Sequence, residues 1–305
     1  MEAFRPRSRY VSGMIVHLID GTFELFRHFY AVPPASDRDG REVGATVGVL
    51  NSVLRLLESG ATHVGVATDH VIESFRNSLW SGYKTGDGID PALFSQFHPL
   101  EAALRSMGVV VWPMIELEAD DGLASAARIA AADPRVTQVM ICTPDKDLSQ
   151  AVVGDRVVQF DRMRRQVRNE PGVVAKFGVP PASIPDWLAL VGDTADGYPG
   201  LPGWGEKSAA TVLAHYGHIE AIPSDPAAWA VSVRGAARLA TTLAAERDRA
   251  LLFRQLATLR DDTELFRDVD ELRWTGATPD FRVLADGLDA PGLAVWAERL
   301  AATRA

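Results

Sequence analysis

The sequence predicts an α/β fold, a parallel twisted sheet flanked by helices, followed by a second, helical region. Two observations carry this. Short apolar runs alternate with stretches of helical periodicity through the first half of the chain, the pattern of strand–helix–strand units with helices on both faces of a sheet. From about Pro180 the strand-like runs stop, and helical patterns with Gly/Pro turns take over.

Taken in order, Met14–Ile19 is a short apolar run that ends in Asp20-Gly21. Val43 to Leu57 carries Val47, Leu50, Leu54 and Leu57 three or four residues apart, which is one face of a helix. His63–Thr68 is a second strand, closed by Asp69. Val109–Trp112 is a third, followed by Glu118. The Ala-rich stretch Ala119–Ala132 reads as a helix, Val136–Cys142 as a fourth strand before Asp145, and Arg156–Phe160 as a fifth. Residues 75–100 mix Phe75, Arg76, Trp80, Tyr83 and Lys84 with Gly and Asp. That is long for a plain crossover and suits a functional insertion.

The organisation expected is a loose tail over 1–13, a core over 14–178 and a helical region over 179–305. Arg5, Arg7 and Arg9 precede the first apolar run, but His17 and Asp20 break it, so it reads as a strand and not a signal sequence. Met14 is an alternative start. No run approaches the roughly 18 apolar residues of a membrane helix. The single cysteine, Cys142, excludes an intrachain disulfide or a Cys-rich zinc site and suits a cytoplasmic protein.

The net charge of −9 argues at first against a nucleic-acid partner, since phosphate binders usually carry a basic footprint. The location of the acids answers this. Nine of them (Asp20, Asp69, Glu118, Asp120, Asp121, Asp145, Asp147, Asp193 and Asp196) lie in short motifs, and setting those aside leaves 31 acidic against 31 basic side chains.

Four separate strands are each followed by an acid: Asp20, Asp69, Glu118 and Asp145. One acid after a strand is as well explained by a turn or helix cap. Four on one edge of a parallel sheet, where ligands bind beyond the carboxyl ends of the strands, call for another cause. Clustered carboxylates repel, and burying them unpaired is costly. A hard divalent cation such as Mg²⁺ resolves both problems, and nine acids suit two ions. Asp120 and Asp121 also fall in the first turn of a helix, where negative charge is favoured, so some of these acids read equally as caps.

Gly200-Leu-Pro-Gly203-Trp-Gly205-Glu-Lys207-Ser208-Ala209 lies between two helical stretches. Glycines let the backbone approach a ligand, amides opening the next helix suit a phosphate, and Lys207 adds a charge. This helix–hairpin–helix pattern grips a DNA backbone without reading sequence. An ordinary loop capping a helix is the plainer alternative.

Together these segments resemble the 5′-nuclease family, which includes the nuclease domain of bacterial DNA polymerase I, phage 5′-nucleases and flap endonucleases. The likeness rests on Leu18-Ile-Asp20-Gly21, Ala67-Thr-Asp69 with Ser74-Phe-Arg76, Gly82-Tyr83-Lys84, Glu118-Ala-Asp-Asp121, Thr143-Pro-Asp-Lys-Asp147-Leu148, Gly192-Asp193-Thr-Ala-Asp196 and the 200–209 hairpin. It runs from Met14 to His218 and more loosely to about residue 260. It implies a PIN-like core, a helical arch near 75–100 and a C-terminal helix–hairpin–helix (H3TH) motif. It implies Asp20, Asp69, Glu118 and Asp120 as ligands of one divalent cation (Mg²⁺ or Mn²⁺), Asp145, Asp147, Asp193 and Asp196 of a second, and Asp121 acting through water.

The same resemblance implies that Arg76 and Lys84 contact the reacting phosphate, with Arg27 as a further phosphate contact and Tyr83 positioning or stacking the strand. Gly200, Gly203, Gly205, Lys207 and Ser208 would hold DNA, with potassium on the hairpin backbone 200–205. The implied activity is a free-standing 5′→3′ exonuclease and flap endonuclease. It would act on DNA with 5′ ends, flaps or single-strand/duplex junctions, and on RNA primers, in replication and repair. A monomer associated with the nucleoid of a bacterium is expected.

The sequence departs from the family pattern at Asp87, where a basic residue is common, at Gly197, where Asn is common, and at Trp204, where a smaller aliphatic residue is usual. Arg162, Arg164, Arg165 and Arg168 form the one basic cluster and read as a solvated hairpin. Two other readings stay open: an RNA-directed PIN-type ribonuclease, and a DNA-structure binding module without catalysis. The hairpin and arch speak against the first, and the complete acidic set against the second.

Overall fold

The computed structural model describes residues 13–304, so the N-terminal stretch read as a loose tail lies outside the described residues apart from Gly13. Six strands form one sheet: β1 (Met14–Asp20), β2 (His63–Asp69), β3 (Val110–Met114), β4 (Val136–Cys142), β5 (Val157–Asp161) and β6 (Gln166–Arg168), in the order β3-β2-β1-β4-β5-β6. The first five run parallel, and β6 returns antiparallel to β5. The chain therefore adds strands outward on one side of β1, then crosses to the other side. Such a switch point opens a crevice at the carboxyl edge, and here it lies between β1 and β4.

Both faces of the sheet are covered. Along β1, Val16 and Leu18 point to one face and Ile19 to the other, as the two-residue repeat of a strand requires. The Val16 face packs against the Ala119–Ala132 helix, whose small side chains let it lie close to the strands. The Ile19 face packs against the Gly44–Glu58 helix through the fully buried Leu50, Leu54 and Leu57. Burying each such leucine is worth about 1.5–3 kcal/mol.

A second core forms around the helices Ile184–Val191, Glu206–Tyr216, Ala236–Ala245 and Arg247–Ala257. Not all of the helical 179–305 region joins this second core. Trp274, Phe281, Leu293, Ala297 and Leu300 pack back into the first core beside Leu50 and Leu57. Trp274 ties the return down: its backbone amide donates to the Thr62 carbonyl at 2.8 Å, and its indole Nε1 donates to the Met107 carbonyl at 2.8 Å. Leu293, Ala297 and Leu300 recur at helical spacing, and their stripe finds its cover on the distant first core.

The 75–100 insertion also differs from the expected helical arch. It holds only the short helices Phe75–Leu79 and Pro91–Phe94 before the Phe97–Ser106 helix begins. Between the two short helices the chain lies as a strap against the fold. Lys84 N donates to the Asp196 carbonyl at 3.1 Å, and Trp80 Nε1 donates to the Gly197 carbonyl at 3.1 Å. Among the described residues no helix is long and apolar enough to cross a membrane.

Candidate metal centre

Because β1 to β4 are parallel, the acids that follow them gather at one edge. Asp20 closes β1 and caps the next helix, accepting from Phe23 N at 2.8 Å and from Thr143 Oγ1 at 3.1 Å. Asp69 closes β2, and its Oδ1 accepts from Ala119 N at 2.8 Å, one of the free amides that open the Ala119–Ala132 helix. Glu118 immediately precedes that helix, and Asp120 and Asp121 stand in its first turn. Asp145 and Asp147 follow β4, with Asp147 N donating to Asp145 Oδ1 at 2.9 Å. Asp193 and Asp196 arrive from the other core on the turn after the Ile184–Val191 helix, which is closed by paired backbone bonds between Asp193 and Tyr198.

Electrostatics record the crowding. Burial, with Asp69 and Asp145 nearby, pushes the Asp20 carboxyl up to about 7. Burial raises Asp120 well above its ordinary value, helped by Asp145 and Asp20. Burial raises Asp147 likewise, helped by Asp145, Asp196 and Asp193. Asp69 and Asp196 are raised as well, burial again leading. Each carboxylate is thus short of positive charge.

Within this edge, Asp147, Asp193 and Asp196 each offer a ligand oxygen, all within 4.8 Å of one another. Asp147 Oδ1 is buried without a hydrogen-bond partner, a costly state for an isolated acceptor. An all-oxygen set of this kind fits a hard divalent cation. Two lysines also reach the acids. Lys84 Nζ lies 2.7 Å from Glu118 Oε2 and 3.0 Å from Asp196 Oδ1, so it bridges the two cores. Lys146, within the Asp145–Asp147 motif, pairs with Asp193.

Glu118 is the exception in charge. Burial alone would raise it, but Lys84 and Arg76 hold it down at about 2. Ser74 Oγ and Tyr83 OH add hydrogen bonds to its oxygens at 2.6 and 3.3 Å.

Four expected roles meet a different geometry. Arg76 does not face the crevice; it is buried, and its Nη1 and Nη2 donate to Asp121, Nη1 also to Glu118, and Nε to the Leu256 carbonyl at 2.7 Å. All of its nitrogens are spent on protein, which leaves none for a phosphate. Asp121 is correspondingly occupied: Oδ2 also accepts from Glu118 N and Oδ1 from Arg260 N, so neither oxygen is open to a cation or its water. Tyr83 is buried and gives its hydroxyl to Glu118, so its ring is not open to stack a base. Arg27 pairs with Glu24 and His28 and lines a groove beside the Gly21–Ala31 helix.

The glycine segment opens the Glu206–Tyr216 helix. Ser208 Oγ caps Gly205, accepting from its amide at 3.0 Å. Lys207 and Ser208 line an open cleft with Gly203, Gly205 and Arg234. Gly203 has φ +87°, and a Cβ there would stand 2.8 Å from Arg238 Nη2. Arg234 and Arg238 are not visible from local sequence, because they lie some 30 residues beyond the motif they join. Trp204 is buried against Trp229, with ring centroids 6.2 Å apart, as a packing variant. Asp87 is exposed on the strap.

Comparison with known proteins adds the family. Residues 15–178 match the model of the 5′-3′ exonuclease N-terminal resolvase-like domain, and residues 179–280 that of the 5′-3′ exonuclease C-terminal SAM fold. The chain is 36% identical over 265 residues to DNA polymerase I of Pseudomonas aeruginosa, covering 84% of this chain and 28% of that protein. It is 34% identical over 212 residues to a 5′-3′ exonuclease of Aquifex aeolicus, covering 68% of this chain and 71% of that protein. The chain thus spans little more than a quarter of the polymerases it matches.

Among solved structures, zinc-bound T5 5′-exonuclease superposes with a TM-score of 0.64 at 16% identity, covering 94% of this chain and 98% of that one. Flap endonuclease-1 from Methanococcus jannaschii superposes with a TM-score of 0.61 at 16% identity, covering 96% and 94%. These two show a shared fold.

Proposed function

The chain belongs to the 5′-3′ exonuclease family, and from that premise we propose that it hydrolyses DNA phosphodiester bonds near 5′ ends and flap junctions, using two divalent cations. The observation that carries this reading is the convergence of Asp147, Asp193 and Asp196 within 4.8 Å, with Asp147 Oδ1 buried and unpartnered. Asp145 would complete this ligand set, with Asp20, Asp69, Glu118 and Asp120 holding the other ion. When bound, Mg²⁺ or Mn²⁺ supplies Lewis-acid stabilisation to the phosphodiester and to the water that attacks it.

The chain's own residues do the positioning. Arg76 and Asp121 fix Glu118 from below. Lys84, joined to Glu118 and Asp196, places one cationic group where charge develops on the scissile phosphate. Gly203, Gly205, Lys207 and Ser208, joined by Arg234, offer a cleft for duplex backbone, with Gly200 packed behind them against Val191 and Gly192, and the hairpin carbonyls 200–205 would be the place for a potassium ion. The same reading extends to RNA primers as substrates, to a monomeric enzyme, and to primer removal and repair at the nucleoid as its setting.

A 5′-labelled single-flap duplex tests the proposal. Short 5′ fragments released near the junction in Mg²⁺ or Mn²⁺, and abolished by EDTA, are the expected result. Firm flap binding with no cleavage in either metal would overturn it in favour of a binding module.

A further inference from the structure

The ligand set Asp147, Asp193 and Asp196 is shared between the two cores. Asp147 stands in the turn after β4, while Asp193 and Asp196 follow the Ile184–Val191 helix of the second core. Like charges drawn together across such a boundary repel. Lys84 and Lys146 pair with Asp196 and Asp193, while among the described residues Asp147 has no ion pair, so its turn is held by other means. Two glutamines outside the acidic set hold it.

Gln150 lies in the same short turn as Asp147. Its Nε2 carries two N–H groups, and both are used: one donates to the Asp147 carbonyl at 2.9 Å and the other to the Ala257 carbonyl at 2.9 Å. Its Oε1 accepts from Leu259 N at 3.0 Å. Ala257 ends the Arg247–Ala257 helix, and Leu259 lies just beyond it. That helix packs through Phe253 against Tyr198, whose backbone closes the Asp193 turn. One amide therefore joins the backbone of Asp147 to the core that carries Asp193 and Asp196.

Gln159, buried in β5, holds the other acid of the motif. Its Nε2 donates to the Asp145 carbonyl at 2.5 Å, and its Oε1 accepts from Ser149 Oγ at 2.7 Å and Arg168 Nη1 at 2.8 Å. Its strand neighbours Val157 and Val158 are buried and apolar, and a buried amide among them is costly unless its bonds are made. Each glutamine meets a carbonyl with its nitrogen and donors with its oxygen, so a carboxylate in either place would face a carbonyl.

We propose that Gln150 and Gln159 are positioning residues of the metal centre. Through the carbonyls of Asp147 and Asp145 they set the two carboxylates of that motif against Asp193 and Asp196, so that the ion between the cores meets a preformed site. The inference rests on the two-cation reading above. The amides act on the backbone and not on the ion, so their effect is on the affinity of one cation and, through it, on turnover.

The test follows Mn²⁺ uptake by the full chain without DNA, using electron paramagnetic resonance of the free ion. Wild type should take up two ions. Gln150→Met keeps the reach of the side chain and removes its three hydrogen bonds, while Gln150→Glu and Gln159→Glu keep the accepted bonds and lose the donated ones. Each variant should leave one ion bound as in wild type and weaken the other about ten- to a hundredfold, the range for partners that orient metal ligands. In flap cleavage the Mn²⁺ concentration for half-maximal rate should rise, with the rate at saturating Mn²⁺ within about threefold of wild type. Leu293→Ala, a packing loss in the returning Gly292–Ala302 helix, should lower the urea midpoint and change the binding of neither ion. A wild-type chain with two ions, matched ion for ion by the glutamine variants, would overturn this inference alone. An equal loss of ion binding in Leu293→Ala would overturn it as a general effect of stability. A wild-type chain that takes up fewer than two ions would overturn the two-cation reading, and this inference with it.

Discussion

Arg76 and Asp121 form a two-pronged ion pair beneath the acidic edge, with Nη1 2.7 Å from Oδ2 and Nη2 2.8 Å from Oδ1, and both side chains closed off from solvent. Fork-on-fork pairing of this kind fixes geometry as well as charge. Arg76→Ala would strand Asp121 as a buried charge and should lower stability by about 3–5 kcal/mol. Arg76→Lys should recover little of it, because one ammonium cannot replace two parallel bonds. Urea denaturation checks both. An Arg76→Ala protein with unchanged stability but lost turnover would return Arg76 to the phosphate.

Lys84 is one of two lysines at the crevice and the one proposed to act on the phosphate, 2.7 Å from Glu118 and 3.0 Å from Asp196. Lys84→Met should lower kcat about a hundredfold, the scale of removing one electrostatic stabiliser of the transition state. Single-turnover cleavage of a flap at saturating enzyme reads the chemical step directly. A rate within twofold of wild type would remove Lys84 from the reaction.

Gly197 has φ +82°, and a Cβ there would lie 2.0 Å from the Gly82 carbonyl oxygen. The departure from Asn is therefore a close approach of two backbones, the one that lays the 80–84 strap over the acids. Gly197→Ala should cost more than about 1 kcal/mol and speed amide exchange across 80–84. Exchange rates equal to wild type would show that the strap does not depend on this close approach.

The acids were legible because each follows its own strand, and parallel strands end on one edge; Asp20, Asp69, Glu118 and Asp145 needed only local sequence and topology. The partners of Arg76 were not, since its carbonyl acceptor at Leu256 lies 180 residues away. Burial of Tyr83 depends on a core built from the second half of the chain, which local pattern does not carry. The return of Trp274 to Thr62 and Met107 was hidden for the same reason. Lys146 was in plain view between Asp145 and Asp147, and its charge alone among those acids was the signal to follow.

His17 in β1 sits partly buried with Nδ1 unpartnered. Burial, with Arg162 and His63 nearby, pulls its pKa down to about 4. The unfolded chain takes up that proton near pH 6.5, so stability falls as pH drops from 6.5 to about 4. The shift corresponds to about 3 kcal/mol. Comparing urea midpoints of wild type and His17→Gln at pH 7 and pH 4 should show the variant gaining by that amount. Parallel behaviour across the range would mean His17 titrates normally.

In the proposed two-cation centre, Asp147 is the least replaceable carboxylate. Its Oδ1 has no protein partner, and its neighbours Asp193 and Asp196 converge on the same point. The direct measurement is the single-turnover rate of Asp147→Ala on a 5′-labelled flap in Mg²⁺, with folding and flap affinity verified beside it. The expected result is a folded protein that binds the flap and cleaves it at least about a thousandfold more slowly. Near wild-type turnover would contradict it.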